Sequence, residues 1–329
     1  MTSNDRTRAE ATSLLPLARR VLSQYPFQVR EVDHLATHSN VLYRVITSSG
    51  QQLCLRVGAP HSNTRTNIEI EVAWLDALAL ETDLDVVRPV HTRSGDLIVD
   101  EFDPGLGQER VCVLFSWIPG VPLGAGSGAF GYRLMGQMSA ALQQHGRHWL
   151  PPRVGRMRRW DRVFYYGLGL KDEVITDSRY SHLFTPSYRR VLVKAFDLAQ
   201  DTIVRSWATG GTQVVHGDLH EWNVHVGGSR LYAFDFEDVM LALPAQDVAI
   251  SLYSSRLRDN HYEIVSAFRR GYEEVAPWPV ADRSQLEGFQ AARQLMLMDY
   301  AARTLPTKEA EDYIQKVMPW LERYVRSYG

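Results

Sequence analysis

The stretch Val214–Asp238, VVHGDLHEWNVHVGGSRLYAFDFED, decides how the rest of the chain is read. It sets His216-Gly217-Asp218 after a short apolar run and Asn223 five residues beyond the aspartate. Gly227-Gly228 is a hairpin-turn signal, and the apolar run Leu231–Phe234 that follows delivers Asp235. Asp218, Asn223 and Asp235 are therefore expected to converge. Their carboxylate and amide oxygens are hard ligands, suited to Mg²⁺ held with phosphates rather than to a soft metal.

Three chemistries compete for this stretch. A metal hydrolase would use His216-x-Asp218-x-His220, which share one face if the run is a strand, with His225 close by. His220-Glu221-x-x-x-His225 comes near the helical zinc motif HExxH, but five residues turn a helix by roughly 500° and separate the two imidazoles. A purely structural reading lets the histidines satisfy backbone groups in a tight loop, and leaves the Asp–Asn–Asp set unexplained. Phosphoryl transfer uses the whole set: one group orients the attacking hydroxyl, metal ions sit on the phosphates, and a cation holds the nucleotide. An aspartate, an asparagine five residues later and an aspartate after a short hairpin have the spacing of kinase catalytic and metal-binding loops.

Working outward, 329 residues with 45% hydrophobic and 22% charged content are ordinary for a soluble globular protein and long enough for two lobes. A net charge of -2 gives no electrostatic footprint for nucleic acid. The start, MTSNDRTRAEA, lacks an apolar signal core, and no apolar run approaches the ~20 residues that span a bilayer. No membrane partner is expected, and the expected location is cytoplasmic. Cys54 and Cys112 sit in apolar strand-like runs and read as small buried hydrophobes in a reducing compartment. The only lysines are Lys171, Lys194, Lys308 and Lys316, so the first half of the chain must do all its cationic chemistry with arginine and histidine. The sequence carries no signal for an oligomeric state.

Apolar spacing predicts a leading amphipathic helix over Arg6–Tyr25. Val41–Thr47 and Gln51–Val57 read as a hairpin around Ser48-Ser49-Gly50. In the second strand Leu53, Leu55 and Val57 face one way, with Cys54 and Arg56 on the other face. A helix follows over Asn67–Leu80, with Ile68, Val72, Leu75 and Ala79 as its stripe and Glu71 on a neighbouring face. Val86–His91, Asp96–Asp100 and Arg110–Trp117 are further strand candidates, and Ile118–Pro122 marks a lobe boundary. Gly126-x-Gly128-x-x-Gly131 spells a dinucleotide fingerprint but lacks the strand before it and the acidic residue after it, so it reads as a helix entry. Helical periodicity continues over Tyr132–Gln144, Tyr188–Trp207, Asp247–Arg256, Tyr262–Glu274, Ser284–Thr304 and Glu309–Ser327. The fold class is thus α+β: a leading helix (1–25), a small antiparallel sheet with one inserted helix (26–116), and a mostly helical remainder (117–329).

Taken together, VVHGDLHEWNV, FDFED and LPAQDVA resemble the aminoglycoside phosphotransferase and choline kinase superfamily, in order over about Tyr25–Tyr300. The resemblance implies a bilobal protein-kinase-like fold. It implies that Asp218 is the catalytic base, that Asn223 and Asp235 are the Mg²⁺ ligands, and that His216 shapes the loop. It also implies that Asp247 braces the loop from within, a helix N-cap being the alternative. Where that family has a strand lysine paired with a helix glutamate, this chain offers Arg56 and Glu71, an arginine fork being a competent phosphate ligand; a surface arginine without a partner is the alternative. Thr37-His38-Ser39-Asn40 stands in place of a glycine-rich loop, with Ser39 on the phosphates. Leu114–Ile118, including Ser116 and Ile118, would be the hinge that bonds adenine.

The implied reaction moves the γ-phosphate of ATP, or GTP, to a hydroxyl of a small molecule with Mg²⁺ as cofactor. The acceptor would be an amino alcohol, or homoserine-like, or aminoglycoside-like, met by residues among Glu237, Trp160, Asp161, Tyr165, Tyr166, Arg293, Asp299 and Tyr300. A protein Ser/Thr kinase of the bacterial stress-response type and a catalytically silent nucleotide-binding protein are the alternatives.

Overall fold

A computed structural model describes residues 3–37, 39–60, 63–124, 128–152, 154–165, 174–175 and 177–329. The chain divides into two units, the first comprising Met1–Val121, Leu150–Met157 and His225–Glu237, the second Pro122–Trp149, Arg158–Val224 and Asp238–Gly329.

The first unit begins with α1 (Ser3–Leu22), followed by β1 (Val29–Thr37), β2 (Asn40–Thr47), β3 (Gln52–Gly58), α2 (Arg65–Glu81), β4 (Val99–Asp103) and β5 (Gln108–Ser116). The five strands form one antiparallel sheet in the order β1-β2-β3-β5-β4. Its centre is β3, where Leu55 pairs with Tyr43 on one side and Leu114 on the other. The apolar stripe of α1 (Leu14, Leu17, Ala18, Val21) packs with Tyr43, Leu53, Leu55 and Leu114 in one core. Because side chains alternate along a strand, burying Leu53, Leu55 and Val57 there turns Arg56 to the opposite face.

Both predicted helices and the β2–β3 hairpin are present. Val86–His91 is not a strand: it makes only isolated bridges, Val86 with Ala233 and Pro89 with Phe115, and Pro89 has no N–H to offer a ladder. The expected strand at Asp96–Asp100 lies further on, starting at Val99. Sequence periodicity missed β1, an edge strand whose charged side chains are mostly solvated and so leave no apolar alternation.

The remaining elements are β6 (Val121–Pro122), α3 (Ala129–His148), α4 (Pro186–Ala208), β7 (Gln213–Val215), β8 (Val224–Gly227), β9 (Arg230–Ala233), β10 (Met240–Ala242), α5 (Pro244–Ser251), α6 (His261–Glu273), α7 (Arg283–Thr304) and α8 (Thr307–Tyr328). Capping explains two of the helix starts. Thr185 accepts from Tyr188 N ahead of Pro186 in α4, and Asp282 accepts from Gln285 N in α7. The predicted helix over Asp247–Arg256 is α5, which starts earlier at Pro244, followed by a 3₁₀ turn over Ser254–Leu257. Of the glycine run, Gly128 precedes α3 and Gly131 lies within it, while Gly126 lies outside the described residues. Among the described residues no helix is long and apolar enough to cross a membrane.

In the second unit α3 and α6 touch through glycine. A Cβ on Gly271 would lie 1.9 Å from Arg133 O, and one on Gly136 would lie 2.0 Å from Phe268 O, so the two backbones meet with no room for a methyl group. Gly271→Ala and Gly136→Ala are each expected to lower unfolding stability by about 1–3 kcal/mol. Gly128→Ala, where a Cβ meets nothing within 4 Å, should change it by less than about 0.5 kcal/mol. Urea midpoints of the three variants check this.

Candidate active site

In the second unit β7 ends at Val215, and the residues after it leave the extended conformation. His216, Asp218 and His220 therefore do not share a strand face, and no group of three His, Cys, Asp or Glu among the described residues is placed to hold a metal. Gly217 has φ +80°, and a Cβ there would lie 2.1 Å from Asp238 O, which restricts the position to glycine. Its N–H donates to Asp247 Oδ1 at 2.9 Å, while Asp247 Oδ2 accepts from Gln143 Nε2 at 3.0 Å. Asp247 is fully buried, and the N-cap of α5 is Leu243, so Asp247 acts as a brace and not as the cap. Burial pushes its carboxyl up to about 6, against the two hydrogen bonds and with some help from the charge of Asp218. His216, also fully buried, accepts through Nδ1 from Asp218 N at 3.2 Å and so shapes the loop.

The Asp218 carboxylate is engaged on both oxygens. Oδ1 pairs with the Arg293 guanidinium. Oδ2 accepts from Asn223 Nδ2 at 3.1 Å and faces His220 Nε2 at 3.4 Å. Asn223 Nδ2 also donates to Asp218 O at 2.9 Å, which leaves Oδ1 as the ligand atom this side chain can offer. Burial opposes the Asp218 charge, but Arg293 first, then His220 and His216, outweigh it and bring the carboxyl down to about 2. His220 responds in the other sense: burial lowers its pKa, the Asp218 charge raises it more, and the net shift is upward. The Asp218–Arg293 pair is the feature sequence reasoning missed. Arg293 was expected only among acceptor-facing residues, and it lies 75 positions from Asp218 with no local motif connecting them.

The first unit carries the other expected residues. Arg56 is buried and donates through Nη1 to Glu71 Oε1 at 2.8 Å and through Nη2 to Glu71 Oε2 at 2.6 Å. The idea of an unpartnered surface arginine is overturned. Nη1 also reaches Glu237 Oε1 at 2.8 Å, and the guanidinium lies 5.0 Å from the centre of the Phe115 ring. Burial works against the charge, but Glu71, Glu237 and then Asp235 more than offset it, so Arg56 is held above its ordinary pKa. Glu237, expected near an acceptor, is instead bound to Arg56 and to Asn40 Nδ2.

Asp235 follows β9, is exposed, and has φ 63°, the only positive φ at a non-glycine among the described residues. That conformation costs roughly 1–2 kcal/mol, a strain that tends to occur at functional positions. Phe236 behind it is buried against Trp74, with ring centres 5.6 Å apart. Ser39 is exposed in the bend before β2, and His38 lies outside the described residues. Ser116 ends β5 and exchanges two bonds with Arg88, accepting through Oγ from its N–H at 2.9 Å and donating its own N–H to the carbonyl at 2.8 Å. Ile118 is half-buried in the segment after β5. Asp218 and Asn223 thus belong to one unit, and Asp235, Arg56 and Glu71 to the other.

Most of the remaining candidates belong to Asp218's own unit. Trp160 is fully buried against Tyr165 and Phe289, and Tyr165 OH accepts from Arg293 Nη1 at 3.3 Å. Asp299 accepts from Val174 N and Arg303 Nε, Asp161 pairs with Arg159 and Arg162, and Tyr300 is exposed. Tyr166 lies outside the described residues.

A five-stranded antiparallel sheet with an Arg–Glu pair between β3 and α2, and a helical unit holding a braced Asp–Asn loop, are the parts of a protein-kinase-like fold. Residues 29–289 match the family model described as the phosphotransferase enzyme family, and the chain belongs to that family. Among solved structures it is similar to a microcompartment-associated aminopropanol kinase (23% identity, TM-score 0.81, covering 96% of this chain and 98% of that one). It is also similar to an amicoumacin kinase in complex with AMP-PNP, Ca²⁺ and Ami (17% identity, TM-score 0.74, covering 93% and 92%). A spectinomycin phosphotransferase in complex with ADP and spectinomycin matches at 14% identity and TM-score 0.67, covering 94% and 98%. These likenesses establish the fold. An uncharacterized protein of Synechocystis sp. is 26% identical over 237 residues, 71% of this chain and 63% of that protein, so the chain spans less than two thirds of the curated relative it matches.

The Asp218 pairing carries a pH signature. Its folded pKa of about 2 lies below its ordinary value of 3.8, so the stability it contributes is present above the unfolded value and lost as pH falls towards 2. Asp247 acts with the opposite sign: with a folded value of about 6, its contribution is lost as pH rises from near 4 to near 6. The stability advantage of the wild type over Asp218→Asn is therefore expected to be about 2 kcal/mol at pH 6 and to shrink as pH falls through 4. Denaturant titrations of the two proteins at several pH values measure it.

Proposed function

We propose that the protein transfers the γ-phosphate of a nucleoside triphosphate, ATP with GTP as the alternative, to a hydroxyl group of a small molecule. The observation that carries this reading is the Asp218 carboxylate, held ionised by Arg293 and His220 and bonded to Asn223, in a loop braced by Asp247. Asp218 accepts the proton of the acceptor O–H while that oxygen bonds to the γ-phosphorus. The bond from phosphorus to the leaving oxygen breaks, and a nucleoside diphosphate and a phosphate ester result.

Nucleotide binding is assigned to the sheet unit, with Arg56 oriented by Glu71 as the cation for phosphates and with Ser39, Ser116 and Ile118 as further contacts. Two carboxylates within hydrogen-bond reach of Arg56, and Asp235 near enough to raise its pKa, make this region net negative. A triphosphate would enter it with a divalent cation more readily than alone. The donor set suits magnesium: Asn223 Oδ1 and the exposed Asp235 carboxylate are hard oxygen ligands, and both residues would hold it. Magnesium bound there would neutralise charge on the nucleotide phosphates. The neighbours solved with AMP-PNP and with ADP support nucleotide use, and the aminopropanol and spectinomycin enzymes support a small hydroxyl-bearing acceptor. A cytoplasmic setting fits the two free cysteines.

Asp218→Asn is expected to lower kcat by about 10²–10⁴-fold while sparing nucleotide affinity. ADP release across a panel of alcohols, with nucleotide affinity measured by calorimetry, tests it, and undiminished turnover would overturn the base assignment. The wild type should show a rise in Tm with millimolar ATP and Mg²⁺, and Asp235→Asn should lose most of that rise. A wild type with no shift at all would favour a role that does not use nucleotide.

A further inference from the structure

Asp235 keeps a left-handed backbone, φ 63°, that a side chain bearing a Cβ seldom adopts. Such a conformation persists where its surroundings over-determine it. On the C-terminal side of Asp235 the chain is held from several directions. The Phe236 ring is fully buried, edge-on to Trp74 of α2. The backbone carbonyl of Glu237 accepts from Asn63 Nδ2 at 3.2 Å. Its side chain accepts through Oε1 from two donors, Arg56 Nη1 at 2.8 Å and Asn40 Nδ2. On the N-terminal side, the Ala233 N–H donates to Asp85 O and its carbonyl accepts from Val87 N, each at 2.9 Å.

The donors that meet Glu237 are themselves fixed. Both oxygens of Glu71, on α2, grip the Arg56 guanidinium. Asn40 sits where β2 pairs with the end of β3 and accepts through Oδ1 from Ala59 N at 3.1 Å. Asn63 accepts through Oδ1 from Asn67 Nδ2, in the first turn of α2, at 2.8 Å. Glu237 thus ties the turn that carries Asp235 to β2, β3 and the start of α2, while Asp235 itself is exposed. The planar Arg56 fork gives this tie a direction that a lysine ammonium would not impose.

We propose that Glu237 is a positioning residue: anchored on Arg56 and Asn40, it holds Asp235 in its left-handed conformation, so that the exposed carboxylate is set before any cation arrives. The proposal rests on the phosphotransferase reading for what Asp235 receives, Mg²⁺ with a nucleotide, whereas the clamp belongs to the protein without ligand. Arg56 then has two tasks, presenting a cation to phosphates and, through Glu237, orienting a ligand for the metal. A ligand set in advance needs no ordering on binding, so cutting the clamp weakens metal affinity. Nucleotide affinity in the absence of metal behaves otherwise. Removing the Glu237 carboxylate takes negative charge away from beside Arg56, and ADP alone should bind no more weakly.

Two measurements on the full chain test this. The first needs no ligand. Asp235→Ala and Asp235→Gly both remove the charge, but only glycine removes the cost of the positive φ, so the difference between their urea midpoints reads the strain. With Glu237 present, Asp235→Gly should have the higher midpoint. Combined with Glu237→Ala the gap should narrow or reverse, because a relaxed backbone no longer favours glycine. An equal gap in both backgrounds overturns the proposal, and so does the absence of a gap when Glu237 is intact, a comparison that requires no Glu237 variant to fold. The second measurement titrates Mn²⁺, a spectroscopic stand-in for Mg²⁺, into protein saturated with ADP, with the affinity for ADP alone measured by calorimetry. In Glu237→Ala the Mn²⁺ affinity should fall by about 10–100-fold while the affinity for ADP alone does not fall. Glu237→Gln, which keeps one oxygen for both donors, should recover part of the loss. An unchanged Mn²⁺ affinity, or Mn²⁺ and ADP affinities that fall together, overturns the positioning role. A loss of Mn²⁺ affinity with no change in the urea gap means that Glu237 binds the cation itself, which also overturns it. A wild type that binds no ADP, with or without Mn²⁺, overturns the phosphotransferase reading, and the urea comparison still decides the clamp.

Discussion

A single buried carboxylate fixes the geometry on which the catalytic loop depends. Asp247 accepts the Gly217 N–H on one oxygen and Gln143 Nε2 on the other. Gln143 in turn accepts from Tyr272 OH through Oε1 at 2.6 Å and, through its backbone carbonyl, from Gln213 Nε2 at 2.6 Å. The loop is thereby tied to α5, α3, α6 and β7 at once. Leaving the Gly217 N–H buried and unbonded would cost about 1–3 kcal/mol, and the positive φ of Gly217 would lose its anchor. With that anchor in place the next residue, Asp218, has a fixed backbone direction, and His216 supports it from below through the bond to its N–H. A rigid backbone is what allows one carboxylate to take three defined partners.

Each unit pairs a buried guanidinium with carboxylate. In the first, one guanidinium faces Glu71 and Glu237 in direct contact, so negative charge dominates and arginine suits the position better than lysine would. The fork makes two parallel bonds to Glu71 and still reaches Glu237, whereas an ammonium is a compact point charge. In the second unit the buried Arg293 guanidinium is paired with the Asp218 carboxylate. Both guanidiniums keep carboxylate partners because an uncompensated ion in low dielectric is expensive.

Much of this was legible in the sequence because it is local. The HGDxHxxN spacing, the hairpin before Asp235 and the alternation of Leu53, Cys54, Leu55, Arg56 and Val57 each depend on a few consecutive residues, and the structure shows the loop, the hairpin and the two-faced strand. Long helices with apolar stripes were found within a few residues of their ends. The edge strand β1 was not, because an edge strand with solvated charges has no periodic apolar signal. The strand expected at Val86–His91 failed because an apolar run containing Pro89 cannot sustain a ladder. Asp247 could be read as a cap or a brace, since both uses favour the same residue type, and only its burial and its bond to Gly217 separate them.

The pairs that set the chemistry were the least visible. Arg56 with Glu237 and Asp218 with Arg293 are separated by 181 and 75 positions, and nothing in composition or spacing couples them. The second pair also bears on how strong a base Asp218 can be. A carboxyl held at about 2 is ionised at any physiological pH but accepts a proton reluctantly, because Arg293 stabilises the charge that proton transfer would remove.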